Sequence, residues 1–367
     1  MSQPRSILLV RLTALGDVIH VLPSLAALRA ALPDAKLGWL VEDRAAPLLE
    51  GHPQLDRLHV LPRHEWVSDL KALRVGRAVG GWRRLFAEIR AEGYEVALDF
   101  QANFRSGVCT FASRAPRRIG QPEPFAKEQS GWFYHETPTV LPAAAHKITR
   151  NLQLLEPLGL LPAEAPAPSL PARPQTVPEL PETKDRPWVV IHPGVSPAGA
   201  VKAWRAERFA ELGRRLTADG AQVFFSWGGA GERALAQALV GEAPGTRLGP
   251  VTDLPQLASF LERADLFIGV DSGPLHLAAA LGTPVVGLYG PKHTGTYGPF
   301  WSEGQAVPAD YPCSPCLYRR CPRPEATNVR LPDGTDLRIS PCMDTIEAAA
   351  VHAEARRVLA REARVLE

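Results

Sequence analysis

The residues best suited to chemistry follow an apolar, β-branched run at residues 266–270. They are Asp271, Ser272, Gly273, Pro274, Leu275 and His276. Because Pro274 suits the first turn of a helix, the pattern predicts a strand, a tight turn and a helix start. Asp271 or Ser272 would cap this helix, and its first-turn N–H groups, that of His276 included, would bind an anion such as a phosphate. An ordinary turn between a strand and a helix is the structural alternative.

A second carboxylate follows the first strand-like run, at residues 7–10. Asp17 ends the segment Arg11-Leu12-Thr13-Ala14-Leu15-Gly16-Asp17, which contains a glycine turn. A carboxylate at the end of a strand could accept a proton from a hydroxyl nucleophile. Alternatively, Asp17 only caps the helix that it begins. A helix start lowers the basicity of a carboxylate, so as a base Asp17 would orient the hydroxyl and take its proton late.

Two further candidates lie in the second half of the chain. His192-Pro193-Gly194 ends a strand-like run and leads to Lys202, which would neutralise a departing phosphate or remain a solvated lysine. Gly229-Ala230-Gly231-Glu232-Arg233-Ala234 fits G-x-G-x-x-A. One such match is weak support for a dinucleotide site, and we interpret it as a tight turn near a nucleotide. No phosphate-loop pattern G-x-x-x-x-G-K-S/T is present, so a P-loop kinase or ATPase is not expected.

Four of the five cysteines cluster late in the chain, at Cys313, Cys316, Cys321 and Cys342. Four thiols could hold a structural zinc ion, although the spacing is looser than that of a zinc ribbon. The alternative is a set of reduced, unliganded thiols that pack a loop. Disulfides are the least expected state in a cytosolic protein.

The elements that position these residues alternate between short apolar runs and helical patterns. Strands are predicted at 7–10, 37–41, 57–61, 95–100, 188–192, 222–227, 266–270 and 285–289. Helices are predicted at 17–32, 77–91, 104–112, 205–218, 231–240 and 254–262. This alternation is typical of doubly wound parallel sheets. Eight prolines between Pro162 and Pro187 indicate a linker, so two Rossmann-like halves should face one another across a cleft that holds the ligands.

Composition is that of an ordinary globular protein, with 45% apolar residues, 22% charged residues and a net charge of +2 over 367 residues. Residues 57–118 carry twelve Lys or Arg against six Asp or Glu, which favours either an acidic partner or a merely solvated face. No signal peptide or membrane-spanning run is evident. We therefore expect a cytoplasmic protein, free or loosely held at a membrane, with no nucleic-acid partner.

Taken together, these residues resemble glycosyltransferase family 9, the heptosyltransferases of lipopolysaccharide core assembly. The resemblance rests on the Asp17 segment, on 271–278 with Tyr289-Gly290-Pro291, and on His192-Pro193-Gly194 with Lys202 and Trp204. It extends from about residue 7 to residue 342 and includes the late cysteines. Segments 38–42, 99–101 and 127–128 look more like heptosyltransferase I, which adds the first heptose to the Kdo of lipid A, than like the second enzyme.

The resemblance implies an α/β fold of GT-B architecture, with two Rossmann-like domains facing across an interdomain cleft. We expect an acceptor-binding domain at 1–165, a linker at 166–187, a nucleotide-sugar domain at 188–342 and a C-terminal helix at 343–367. The implied reaction is inverting transfer of heptose from ADP-heptose to the Kdo or inner-core region of lipopolysaccharide. It needs no catalytic metal or cofactor, and the enzyme would associate peripherally with the cytoplasmic face of the inner membrane.

The resemblance also implies roles for individual residues. Asp17 would be the general base, and Arg105 and Lys127 would face the acidic acceptor. The donor site would consist of Lys202, Glu232, Asp271, Ser272, Gly273, Pro274, Leu275 and His276. Two positions depart from the family pattern: Arg205 replaces a usual proline and Ala102 a common glycine.

Other functions stay open at this point. A family 9 enzyme with a different sugar or acceptor, such as a heptosyltransferase II, would use the same donor residues. A nicotinamide-dependent oxidoreductase would instead use residues 229–234. A binding or epimerase-like protein of the same fold would bind a nucleotide sugar without transferring it.

Overall fold

The computed structural model describes residues 3–174, 176–181, 184–301, 305–316 and 318–365. The chain divides into two compact units, unit 1 (Met1–Ala172) and unit 2 (Arg173–Glu367). The division falls within the proline-rich segment, whose described residues contain neither helix nor strand. Residues 175, 182 and 183 of the expected linker, and 366–367 of the expected C-terminal helix, lie outside the described residues.

Unit 1 is built on a parallel sheet. Its strands are β1 (Ser6–Val10), β2 (Lys36–Glu42), β3 (Arg57–Leu61), β4 (Val96–Asp99) and β5 (Arg117–Gly120). Its helices are α1 (Leu15–Ile19), α2 (Leu22–Ala31), α3 (Arg63–Lys71), α4 (Val75–Ala91), α5 (Phe104–Ala112) and α6 (Lys147–Gln153). The strand order is β3-β2-β1-β4-β5, as in a doubly wound sheet. All of β1 is buried, as expected for a central strand covered on both faces.

The prediction of a single helix at residues 17–32 is wrong. Two helices, α1 and α2, take its place, and α2 carries Pro23 in its first turn. Proline lacks the N–H that a continuous helix would need and clashes with the preceding turn, so the chain breaks and restarts before it. Asp17 therefore lies in a short helix of its own, α1, which is the first helix after β1.

Unit 2 contains a second parallel sheet and a small hairpin. Its strands are β6 (Trp188–His192), β7 (Gln222–Phe225), β8 (Arg247–Leu248), β9 (Leu266–Val270), β10 (Val285–Tyr289), β11 (Gln305–Pro308), β12 (Thr327–Arg330) and β13 (Asp336–Ile339). The order in the large sheet is β11-β10-β9-β6-β7-β8, whereas β12 and β13 pair antiparallel. Every residue of β6, β9 and β10 is buried.

The helices of unit 2 are α7 (Ala206–Ala218), α8 (Ala230–Glu242), α9 (Leu254–Glu262), α10 (Gly273–Ala280), α11 (Thr294–Tyr297), α12 (Pro341–Asp344) and α13 (Ala348–Val365). The last helix packs Val351, Ala355 and Val358 into the core of this unit. Within the described residues, none of the helices in either unit combines the length and the apolar character needed to cross a membrane.

Candidate active site

In each sheet the strand order reverses at one point, and the predicted functional residues follow strands at that point. The reversal lies between β1 and β4 in unit 1 and between β6 and β9 in unit 2. Open α/β sheets bind ligands outside the carboxyl ends of strands at such a position. Asp17 follows β1 and Asp271 follows β9, so the topology places each carboxylate where a ligand is expected.

The carboxylate of Asp271 lies between two nitrogen groups in unit 2. Lys202 Nζ is 3.0 Å from Asp271 Oδ2 and also donates to the Asp271 carbonyl, while His276 Nε2 is 2.9 Å from Oδ1. Asp271 and His276 are both buried. Burial alone would raise the pKa of Asp271, but the hydrogen bond from His276 and the charge of Lys202 hold it well below its usual range. Asp271 is therefore a fixed anion that positions Lys202.

The start of α10 forms the predicted turn, with two corrections. Ser272 is the N-cap residue, with Gly273 and Pro274 in the first turn, but its side chain makes no capping hydrogen bond. Its Oγ is a buried atom without a hydrogen-bond partner among the described residues. The N–H of His276 donates to the Ser272 carbonyl at 3.3 Å, so its expected role as a free donor is wrong. The N–H groups of Gly273 and Leu275 precede the first intrahelical bonds and can meet an anion.

Glu232 joins two loops of unit 2. Its Oε2 accepts a 2.7 Å hydrogen bond from the Gly228 N–H and lies 3.9 Å from His192 Nε2. A Cβ on Gly194 would come within 2.6 Å of the Glu232 carboxyl carbon, so a larger residue at position 194 would displace the Glu232 carboxylate. Burial lowers the pKa of His192, whose Nδ1 is 3.1 Å from Ser226 Oγ. Glu232 therefore lies beside the ends of β6 and β7, next to the strand that precedes Asp271.

In unit 1, Asp17 is held by two cations. Its Oδ2 is 2.5 Å from Arg11, and its Oδ1 accepts a hydrogen bond from Lys147, which lies at the start of α6. The N-cap of α1 is Ala14, so the alternative that Asp17 only caps this helix is wrong. Arg11 is itself held by the Phe100 carbonyl at 2.7 Å.

The charge environment decides how Asp17 could act. Burial would raise the pKa of Asp17, but the positive charges of Arg11 and Lys147 outweigh it and hold the pKa far below its usual range. A carboxylate of this kind is ionised at every working pH but is a weak base. It can orient a hydroxyl and accept its proton only when the bond to the electrophile is well advanced.

The two expected acceptor residues differ in their surroundings. Arg105, in α5, lies 2.7 Å from Glu42 at the end of β2, and burial raises the pKa of that glutamate. Lys127 is exposed, and its backbone N–H donates to the Ala102 carbonyl at 2.9 Å. Gln101 Oε1 accepts hydrogen bonds from the N–H groups of residues 12 and 13, at 3.0 and 3.1 Å. The end of β4 therefore supports the loop that leads to Asp17.

The four late cysteines line one pocket of about 340 Å³ in unit 2, together with Tyr311, Pro291 and Val201. All four are free thiols, and burial raises the pKa of Cys342 to about 11, so this thiol keeps its proton at neutral pH. Across the residues that the structure describes, no three His, Cys, Asp or Glu side chains are grouped so as to hold a metal ion. The grouping of the described side chains therefore gives no support to a zinc site at these four thiols.

Lys147 is the residue that sequence reasoning missed. It lies 130 positions from Asp17 and follows a segment without helical periodicity, so no local pattern connects the two. Arg11 was within the quoted segment but carried no expected role. Because no helix was predicted at residues 147–153, no signal in the sequence indicated Lys147.

Comparison with known proteins identifies the family and the fold of the chain. The family model for glycosyltransferase family 9 (heptosyltransferase) matches residues 82–327. The lipopolysaccharide heptosyltransferase 1 of Pseudomonas aeruginosa is 28% identical over 325 residues, covering 86% of this chain and 87% of the relative. The enzyme of the same name from Escherichia coli K12 is 24% identical, covering 80% and 90%. The structure of E. coli heptosyltransferase WaaC with ADP-2-deoxy-2-fluoro heptose gives a TM-score of 0.71 at 21% identity, covering 96% and 99%.

The site and the fold define a glycosyltransferase with a doubly wound sheet in each of two units. The chain belongs to glycosyltransferase family 9, the heptosyltransferase family. The predictions of the family, of the α/β fold with GT-B architecture and of glycosyltransferase activity are confirmed.

Replacing Asp271 tests its part in holding the candidate site of unit 2 together. Asp271→Asn removes the buried anion and leaves Lys202 and His276 without their ionised partner, so we expect the free energy of unfolding to fall by about 3 kcal/mol. Urea denaturation measures this change. Asp336→Asn is the matched control, because its ion pair with Arg330 is exposed and should contribute no measurable stability. Equal losses in both variants would contradict the buried clamp.

Removing Lys147 should change the pH dependence of transfer. Lys147→Met deletes one of the two charges that lower the pKa of Asp17, so that pKa rises toward its ordinary value. Since the proton acceptor must be ionised, an acid limb of kcat/KM should appear in Lys147→Met as the pH approaches the ordinary aspartate pKa of about 4, where the parent chain shows none. Lys36→Met is the matched control, because Lys36 pairs with Glu92 instead. A profile that is unchanged in Lys147→Met would show that Asp17 does not govern it.

Proposed function

We propose that this chain transfers heptose from ADP-heptose to the Kdo of the lipopolysaccharide inner core, with inversion at the sugar carbon. The observation that carries the proposal is the Asp271 carboxylate, fixed by Lys202 and His276 at the start of α10. Family membership supports the reaction class. The names of the relatives, lipopolysaccharide heptosyltransferase 1, support the transfer of heptose to lipopolysaccharide.

The donor diphosphate would bind at the first turn of α10. The positive end of the helix and the N–H groups of Gly273 and Leu275 suit an anion. The unpartnered Ser272 Oγ adds a further donor. An ammonium group has three N–H donors, and Lys202 uses two of them on Asp271, which leaves one for a phosphate oxygen. Asp271 would accept from sugar or ribose hydroxyls, and Glu232 would approach the adenosine.

The transfer step needs charge to be stabilised at two places. Negative charge grows on the departing diphosphate while the sugar carbon becomes oxocarbenium-like. Lys202 and the start of α10 would stabilise the leaving group without reorganising, since Asp271 already holds Lys202 in place. Asp17 would orient the acceptor hydroxyl and receive its proton late, and Arg11 and Lys147 would keep the carboxylate ionised until then.

The acceptor would be anionic. Arg105 and the exposed Lys127 would bind its phosphates and carboxylates. Arg105 lies in the stretch 57–118, where basic residues outnumber acidic ones by twelve to six. The resemblance of segments 38–42, 99–101 and 127–128 favours heptosyltransferase I over the second enzyme. A lipid-linked acceptor would place the enzyme in the cytoplasm, peripherally associated with the inner membrane.

Two alternatives are less well supported. An oxidoreductase would use residues 229–234, but this segment follows β7, the second strand of its unit, whereas a dinucleotide fingerprint follows the first. A family 9 enzyme with another acceptor, such as a heptosyltransferase II, would use the same donor site. Only the choice of acceptor in the experiment below distinguishes it from the proposed enzyme.

Release of ADP tests the substrates. We expect the purified chain to release ADP only when ADP-heptose and Kdo-lipid A are both present, with UDP- and GDP-sugars as donor controls. Release of ADP with an inner-core acceptor that already carries the first heptose would instead indicate a heptosyltransferase II activity. Donor binding without release on either acceptor would contradict the proposed acceptor, and absence of ADP-heptose binding would contradict the donor.

Two substitutions separate the proposed roles. Asp17→Asn should bind ADP-heptose with unchanged affinity and transfer it about 10²- to 10⁴-fold more slowly, because only proton acceptance is lost. Lys202→Ala should weaken both donor binding and turnover, since a phosphate contact is removed. Lys184→Ala is the control, because Lys184 pairs with Asp265 on an exposed surface. Calorimetry and ADP release measure these effects, and normal turnover in Asp17→Asn would disprove its role as base.

A further inference from the structure

A pair of helices in unit 1 exposes apolar side chains that do not pack into the core of that unit. Helices α3 and α4 are joined by residues 72–74, and every residue from 70 to 77 is exposed. Leu73 is 86% exposed, and Leu70 and Val75 are about half exposed. We call this surface the tip, and it comprises Leu70, Lys71, Leu73, Arg74, Val75 and Arg77.

The opposite side of the helical pair is firmly anchored. Phe86 is fully buried, and Trp82 packs on it with ring centroids 4.3 Å apart, within the core of unit 1. Asp69 is buried at the end of α3, and its carbonyl accepts a 2.7 Å hydrogen bond from the Arg74 N–H. The tip is therefore a fixed surface whose apolar side chains do not contribute to the core.

The backbone at the tip makes a leucine there unexpected. Leu73 has a φ of +58°, in the left-handed region that favours glycine or asparagine. A β-carbon at such a position adds strain, and the apolar side chain gains no compensating burial within the unit. A partner outside the chain would supply that burial.

The charges around the tip indicate the chemistry of the partner. Residues 63–84 contain six Lys or Arg against two Asp or Glu, and one of those two acids is the buried Asp69. The ion pairs that Arg74 and Arg77 form with Asp69 are weak, because the charged atoms are 3.5 and 3.9 Å apart and both arginine side chains are more than half exposed. Aliphatic side chains surrounded by cations on an exposed turn match an anionic lipid surface, which needs no shaped pocket to accept them.

We propose that the tip docks unit 1 onto an anionic lipid bilayer. Leu73 inserts at the level of the headgroups and first acyl carbons, and Lys71, Arg74 and Arg77 contact lipid phosphates. This inference rests on the proposed function, because a lipid-linked acceptor has to be reached at a membrane surface.

Vesicle sedimentation with the full chain tests the docking. We expect binding to phosphatidylcholine vesicles that contain phosphatidylglycerol, little binding to pure phosphatidylcholine, and weakening as salt increases. Leu73→Asn should reduce binding about tenfold, because it removes the inserted side chain. Asparagine tolerates the left-handed backbone, so this variant should fold at least as well as the parent chain. Leu161→Asn, at another exposed leucine of unit 1, is the matched control and should bind normally.

Several outcomes would overturn the docking proposal. These are equal binding to both kinds of vesicle, unchanged binding of Leu73→Asn, or equal losses in Leu73→Asn and Leu161→Asn. If the true partner is an acidic protein, the chain should bind neither kind of vesicle, which would also overturn the proposal.

Transfer to a deacylated, water-soluble inner-core acceptor separates this inference from the proposed function. Leu73→Asn should leave that reaction unchanged and slow only transfer to acceptor embedded in anionic vesicles. Vesicle binding through the tip without heptose transfer to either acceptor would refute the proposed function alone. Transfer to the soluble acceptor without vesicle binding would refute the docking alone.

Discussion

The buried carboxylate of Asp271 is the group on which the candidate site of unit 2 depends. An ionised group without a partner would be too costly to bury there, so Lys202 and His276 must both be in place when unit 2 folds. Lys202 ends a short 3₁₀ helix (Pro197–Lys202) that is itself tied down by the bond from Ser340 Oγ to the Val201 carbonyl. One carboxylate thus joins the loop after β6, the end of β9 and the start of α10. The resulting order costs nothing further when a ligand binds.

Unit 1 uses a related device with a different charge balance. Asp17 faces two permanent cations, Arg11 and Lys147, so its immediate surroundings carry an excess of positive charge. Such a group attracts an anionic substrate while its own basicity is low. As the proposed proton acceptor, Asp17 would take a proton only as the hydroxyl loses electron density to the electrophile. This timing suits a substitution at a sugar carbon, where bond breaking is well advanced before the nucleophile is fully bonded.

Much of the fold could be predicted because parallel strands are buried on both faces and appear as uninterrupted apolar runs, as β1, β6 and β9 do. Prediction failed where that signal is absent. The strands β8 and β12 are short and largely exposed, and α3 exposes Val67 and Leu70 to solvent. The break between α1 and α2 was missed because a long apolar periodicity outweighed the single proline inside it.

The candidate site was predictable only as far as local sequence determines it. Asp271 and His276 are five positions apart, but the partners Lys202 and Lys147 lie 69 and 130 positions from their carboxylates, which only the folded topology can connect. The two departures from the family pattern, Ala102 and Arg205, can be explained by the backbone conformation at each position. Ala102 has a φ of +52°, which explains why glycine is common there. Arg205 keeps a φ of −66°, the value that proline enforces, and ties the start of α7 to Asp344 at 2.6 and 2.7 Å. In both cases the backbone keeps the conformation suited to the usual family residue although the side chain has changed, so the substitutions leave the course of the chain around each site intact.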